Sequence, residues 1–207
     1  MKPIRSRAKK RIRHCKMPSP GNIAGRSSSI TNAFFNAIIP IVAPSEEEEL
    51  EALAILQMDS ADIRCAYCGD KSTEWDHLRP IITNQRPTGF ITEIANLVPA
   101  CGKCNQSKGK AHWRSWMQSA ARLSPKTRGV VDIDDRIARL ASYEQWRQPK
   151  KIAVEEIVDA ELWRRHEVNR RTVIDLLKES QKLAKEIRAS IERAQLTLPP
   201  ENPTVSS

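Results

Sequence analysis

The sequence lacks a hydrophobic run long enough to cross a bilayer. Its longest apolar stretch, Ala33 to Ala43, is broken by Asn36 and Pro40 and falls far short of the roughly 20 residues a bilayer core requires. It also lacks the layout of a secretory signal, because the basic N-terminal run leads into "MPSPGNIAGRSSS" rather than into an apolar segment with a small-residue cleavage site. A cytoplasmic protein with no membrane partner is expected. Aromatic residues are few, at 5%, yet 40% hydrophobic residues over 207 positions suffice for one domain with a real core plus appendages. No repeat of fixed period is visible.

Acidic residues are absent from Met1 to Lys16, where eight Lys or Arg stand. Elsewhere 26 basic and 25 acidic side chains nearly cancel, so the net charge of +9 sits almost wholly on this arm. Such an arm attracts a polyanion by releasing counterions from phosphates, although a charge run alone reads equally well as a solvated terminus.

The pattern divides the chain into a basic, Ser/Pro/Gly-rich arm over residues 1–29, expected to be disordered, and an N-terminal helical segment over 30–62. Residues 63–117 hold the motif chemistry, residues 131–198 read as almost wholly helical, and 199–207 form a disordered tail. In the second region, Ser45 with Glu48 three residues on predicts a capping box, and Leu50, Leu53 and Leu56 or Gln57 a stripe. In the last, Val173, Leu177, Ser180, Ala184, Ile187, Ile191 and Ala194 keep a helical period. That stripe packs either on the chain's own core or on a second copy, as a homodimer through the C-terminal helices.

Cysteine is used sparingly and in pairs. Cys65-x2-Cys68 and Cys101-x2-Cys104 are two knuckles that can present four thiolates to one structural Zn(II). A disulfide framework is the competing reading, which a reducing interior disfavours. Cys15, beside His14 in the arm, has no partner by spacing.

With four cysteines satisfying a closed site, Asp76 and His77 in "EWDHLRP" are left for another purpose. The sequence predicts a strand over Thr73 to Leu78, a long loop, a second short strand near Asn96 to Pro99 and a helix opening at the second knuckle, with His112, Trp113 and Trp116 continuing it. Neighbours on a strand point to opposite faces, so Asp76 and His77 converge only if the strand ends or bends there.

The strings "CAYCG", "EWDHLRP" and "IANLVPACGKCNQSKGK" resemble the HNH endonuclease family. Its pattern is Asp-His at the end of the first strand, Asn-Leu before the second knuckle, and His or Asn directly after it. Here these are Asp76 and His77, Asn96 and Leu97, and Asn105, where many members carry His. The resemblance implies an α+β fold, a small ββα-metal nuclease motif with four-cysteine zinc knuckles flanked by a mainly α-helical C-terminal region. It implies that Asp76 and Asn105 hold a catalytic Mg(II) or Mn(II), that His77 is the general base, and that Asn96 braces the loop and orients His77 through its backbone. The ligand types agree, since carboxylate and amide oxygens suit a hard cation and imidazole takes a proton near neutral pH. Arg79, Lys108 and Lys110 are candidates for substrate phosphate.

The expected function is metal-dependent hydrolysis of DNA, most often double-stranded, by a site-specific enzyme of restriction type. A low-specificity or phage-packaging nuclease is an alternative within the same chemistry. A zinc-ribbon nucleic-acid-binding protein with no catalysis is the alternative outside it.

Overall fold

The computed structural model of the chain describes residues 18–197. The basic run Met1 to Lys16, Cys15 with it, and the expected tail 199–207 lie outside the described residues. These fall into two compact units, residues 27–176 and residues 18–26 with 177–197.

The larger unit opens with helix α1 (Ser27–Asn36). The expected arm thus ends sooner than residue 29: Ala24–Arg26 form a 3-10 turn and α1 starts at Ser27. Buried Thr31 and Phe35, four residues apart, give α1 a face to pack. Helix α2 (Glu46–Ile55) begins with the expected capping box, Glu48 N–H donating to Ser45 Oγ at 3.2 Å and Ser45 N–H to Glu48 Oε2 at 3.0 Å. Its apolar stripe is corrected by one position. Leu50 is 51% exposed, and Ala52, Leu53 and Leu56 face inward.

Strands β1 (Glu74–His77) and β4 (Leu97–Ala100) pair antiparallel, Asp76 opposite Val98 and His77 opposite Leu97. Helix α3 (Gly102–Lys108) follows directly and completes a ββα unit. The connecting segment is not a plain loop. It holds a hairpin of β2 (Ile82–Thr83) and β3 (Arg86–Pro87), whose tip residues Asn84 and Gln85 both take positive φ, 52° and 60°. Such two-residue turns ordinarily announce themselves with glycine, which this one lacks.

Helix α3 stops at Gly109, where φ is +49°, and α4 (Trp113–Met117) starts afresh rather than continuing it. Trp113, Trp116 and Met117 are buried, and Trp116 meets Tyr67 edge-on at 5.2 Å. Burying each such side chain contributes roughly 1.5–3 kcal/mol, which fixes the ββα unit on its neighbours. Helix α5 (Ile133–Trp146) buries Ile137, Leu140 and Tyr143, and the Tyr143 hydroxyl donates to the Leu97 carbonyl at 2.7 Å. That bond ties α5 to the strand behind the motif.

A short turn of helix, α6 (Val154–Ile157), precedes α7 (Ala160–Thr197). The first turns of α7 clasp α1: the Arg170 guanidinium lies 5.4 Å from the Phe35 ring centre, and Trp163 stacks on the same ring at 6.3 Å. In the smaller unit, Ile23 N–H donates to Gln181 Oε1 at 2.6 Å. Ile187 and Ile191 of the expected stripe are exposed there. Among the described residues no helix is long and apolar enough to cross a membrane.

Candidate active site

The four paired cysteines are free thiols whose sulfurs all lie within 4.8 Å of one another. Cys68 and Cys101 sulfurs are 3.7 Å apart, against about 3.8 Å for two sulfurs at tetrahedral positions 2.3 Å from zinc. The first knuckle turns through Gly69, at φ +78°, where an added Cβ would stand 2.4 Å from Arg136 Nη2. The neighbouring sulfurs of Cys65 and Cys68, and then burial, push the Cys104 thiol far up. Such a cluster ionises fully only around a cation, so the residues fit zinc. Arg128 donates to Cys104 Sγ at 3.3 Å and pairs with Asp70 at 2.5 Å, setting a positive charge beside the thiolates. Nothing in the spacing pointed to it.

Beside this cluster, β1 ends at His77, and the ending lets two neighbours serve one space. Asp76, His77 and Asn105 line the same cleft, of about 460 Å³. The Asp76 carboxylate accepts from the Tyr67 hydroxyl at 2.7 Å and from Lys108 Nζ at 3.2 Å. The same ammonium donates to the carbonyls of His77 and Gly109, at 2.9 and 3.2 Å. Burial raises the Asp76 pKa, and the Lys108 charge opposes the rise. Lys108 is therefore an internal counter-charge, buried and turned away from any substrate phosphate.

His77 is held by Thr92, Nε2 to Oγ1 at 2.8 Å. Burial first, and then the Lys108 charge, push its pKa down to about 4, so the ring is neutral at pH 7. Thr92 is fixed in turn by main-chain bonds with Pro40 and Val42 on the strap after α1. Asn105 donates from Nδ2 to Glu74 Oε2 at 3.1 Å, which leaves its amide oxygen for another partner.

Asn96 lies behind the cleft, fully buried. Its side chain accepts from Arg79 N–H at 2.8 Å and donates to the carbonyls of Arg79 and Ile91, at 3.1 and 3.3 Å, bracing the loop after His77. It does not touch the ring. Arg79 itself pairs with Glu144 at 3.1 Å and packs over Phe90, away from the cleft, because α5 offers it a carboxylate. Of the three cationic candidates, Lys110 lines the cleft. The sequence reading missed Thr92, Tyr67 and the residues of α1 that line the cleft. Tyr67 stands inside the first knuckle, but its bond to Asp76 spans nine residues of chain.

Residues 65–111 match the family model of HNH endonuclease. The chain carries an HNH domain. That domain suggests a nuclease, and its four-cysteine cluster a zinc site. Neither the comparison with curated proteins nor that with solved structures gives a match. For the catalytic cation that an HNH domain implies, the chain offers one carboxylate, Asp76, and one amide oxygen, Asn105. These hard donors fit Mg(II) or Mn(II) of the kind that keeps several waters and completes its shell with substrate phosphate. With Lys108 already balancing Asp76, the protein alone is a weak cage for it.

Proposed function

We propose that this chain is a metal-dependent endonuclease that hydrolyses phosphodiester bonds of double-stranded DNA at preferred sites, as a restriction-type enzyme does. The observation that carries the reading is the shared cleft: an oriented imidazole and a carboxylate at the end of one short strand line it together with an amide side chain from α3.

In this reading His77 is the general base. When its Nε2–H donates to Thr92 Oγ1, Nδ1 keeps its lone pair and takes a proton from water, whose oxygen then attacks phosphorus as the 3′ oxygen leaves. Asp76 and Asn105 would hold Mg(II) or Mn(II), which would supply charge neutralisation at the phosphate and the leaving oxygen. Lys108 opposes the rise that burial imposes on the Asp76 pKa. Lys110, at the cleft, meets a non-bridging or neighbouring phosphate oxygen, and Asn96 holds the chain that follows His77. Zinc on Cys65, Cys68, Cys101 and Cys104 is structural. The basic run Met1 to Lys16 adds affinity without sequence choice.

Site preference is supported by the chain outside the HNH domain, since α1 contributes a wall to the cleft that a bare nicking unit would not need. The charge-balanced pair of Asp76 and Lys108 favours a second reading, a zinc ribbon that binds nucleic acid and does not cut. Incubation of mixed plasmid and phage DNA with the full chain and Mg(II) or Mn(II) separates them. Discrete fragments support the proposal, a smear supports cutting without site choice, and intact DNA under every metal supports the ribbon.

A further inference from the structure

The α1 side of the cleft that Asp76, His77 and Asn105 line has a chemistry of its own. On α1, Ser28, Asn32 and Asn36 recur every four residues, are exposed, and line the cleft. The hairpin tip adds Asn84 and Gln85. This wall holds no charged side chain; the ionisable groups of the cleft are Asp76, His77 and Lys110 on the motif side.

Phosphate offers only acceptors and is met best by cations and bidentate guanidinium. A carboxamide offers a donor and an acceptor side by side, the complement of a nucleobase edge, and asparagine pairs in this way with adenine. The stripe from Ser28 to Asn36 rises about 12 Å, the length of three or four base steps at about 3.4 Å each. It is also rigid, because the next face of α1 is clasped through buried Thr31 and Phe35 by Arg170 and Trp163. Rigid backing is what a reading element requires.

We propose that α1, with the hairpin tip, reads base edges of the strand held in the cleft, and that Asn32 and Asn36 are specificity-determining residues for nucleotides beside the broken bond. The inference rests on the nuclease reading and assigns a role to Asn32 and Asn36, which lie outside the HNH match.

The test is cleavage of a duplex library of randomised sequence by the full chain with Mg(II) or Mn(II), read by sequencing the new ends. The parent is expected to show a base preference, adenine first, within about four positions of the break. Asn32→Ala and Asn36→Ala should each flatten one position of that preference by about 5- to 100-fold. Asn32→Asp, which keeps an acceptor and loses the donor, should shift its position towards cytosine. Both side chains are exposed, and equal zinc content and melting temperature in parent and variants establish that each variant is folded. A parent that cuts without preference, or variants that keep the parent's preference, overturn the inference and leave the nuclease reading standing. A parent that cuts nothing overturns the nuclease reading, and the inference falls with it.

Discussion

Lys108 and Asp76 form a buried ion pair, Nζ lying 3.1 Å from Oδ2 with the side chains 1% and 5% exposed. The ammonium also takes the carbonyls of His77 and Gly109, so one lysine joins the end of β1 to the end of α3. Position follows from charge here. A carboxylate this deep would shed its charge without a cation, and the cation is supplied by the helix that also carries Asn105.

Lys108→Met should therefore destabilise the fold by about 3–5 kcal/mol at pH 7, the usual cost of leaving one charge of a buried pair uncompensated. The sign with pH is fixed by Asp76. Its folded pKa is already raised by burial and rises further without Lys108, so the deficit is full above that pKa and shrinks as acid protonates the carboxylate. Melting temperatures of parent and variant should converge as pH falls. A gap that stays constant with pH would remove the ion pair from the explanation.

Removing zinc should unfold the HNH domain rather than slow it. Structural zinc contributes folding free energy of about 10 kcal/mol, of the order of a domain's whole stability. Purified protein should hold one zinc per chain, and chelation should abolish the helical circular dichroism of the ββα unit in a single transition with metal loss. Cys101→Ser should behave as the chelated protein does, and an unchanged melting curve in either case would dismiss the assignment.

What the sequence made legible is what neighbouring residues decide. The capping box at Ser45 and Glu48, the paired strands around Asp76 and Leu97, and the meeting of four sulfurs all follow from short spacings. The hairpin tip at Asn84 and Gln85 escaped because its positive φ angles are imposed by the paired strands and not by glycine. Thr92 and His77 are joined across 15 residues of chain, and Arg128 reaches Cys104 across 24. No local pattern encodes such contacts. The wall on α1 was hidden for a related reason: "ITNAFFN" reads as an apolar segment, and only its packing on α7 decides that its asparagines turn to the cleft.

Acid should weaken this protein through His77. The ring's pKa falls from an ordinary 6.5 to about 4 on folding, so the folded state favours the neutral form. Its contribution to stability is complete above pH 6.5 and is lost as pH drops towards 4, because the unfolded chain binds the proton first. His77→Gln should show a shallower loss of melting temperature across that window than the parent. For cleavage, the acid limb of kcat/KM should lie below the ordinary histidine pKa, with activity persisting near pH 5.5. A limb centred at or above 6.5 would mean that the ring is solvated.

Thr92 should act on cleavage only through the ring it holds. His77→Ala should lower single-turnover cleavage of a defined duplex by about 10²- to 10⁴-fold while leaving zinc content and DNA binding as they are. Thr92→Val keeps the shape and removes one hydrogen bond, whose net value of about 0.5–1.5 kcal/mol corresponds to a loss of roughly 2- to 10-fold. Thr92→Ser, which retains the hydroxyl, should recover most of that loss. The double variant decides between positioning and mere packing. With no imidazole to orient, Thr92→Val should cost nothing more in a His77→Ala background, since residues that act as a unit are not additive. Rates that multiply in the double variant would mean that Thr92 supports the cleft by some other route, and the neutral, oriented base would lose its anchor.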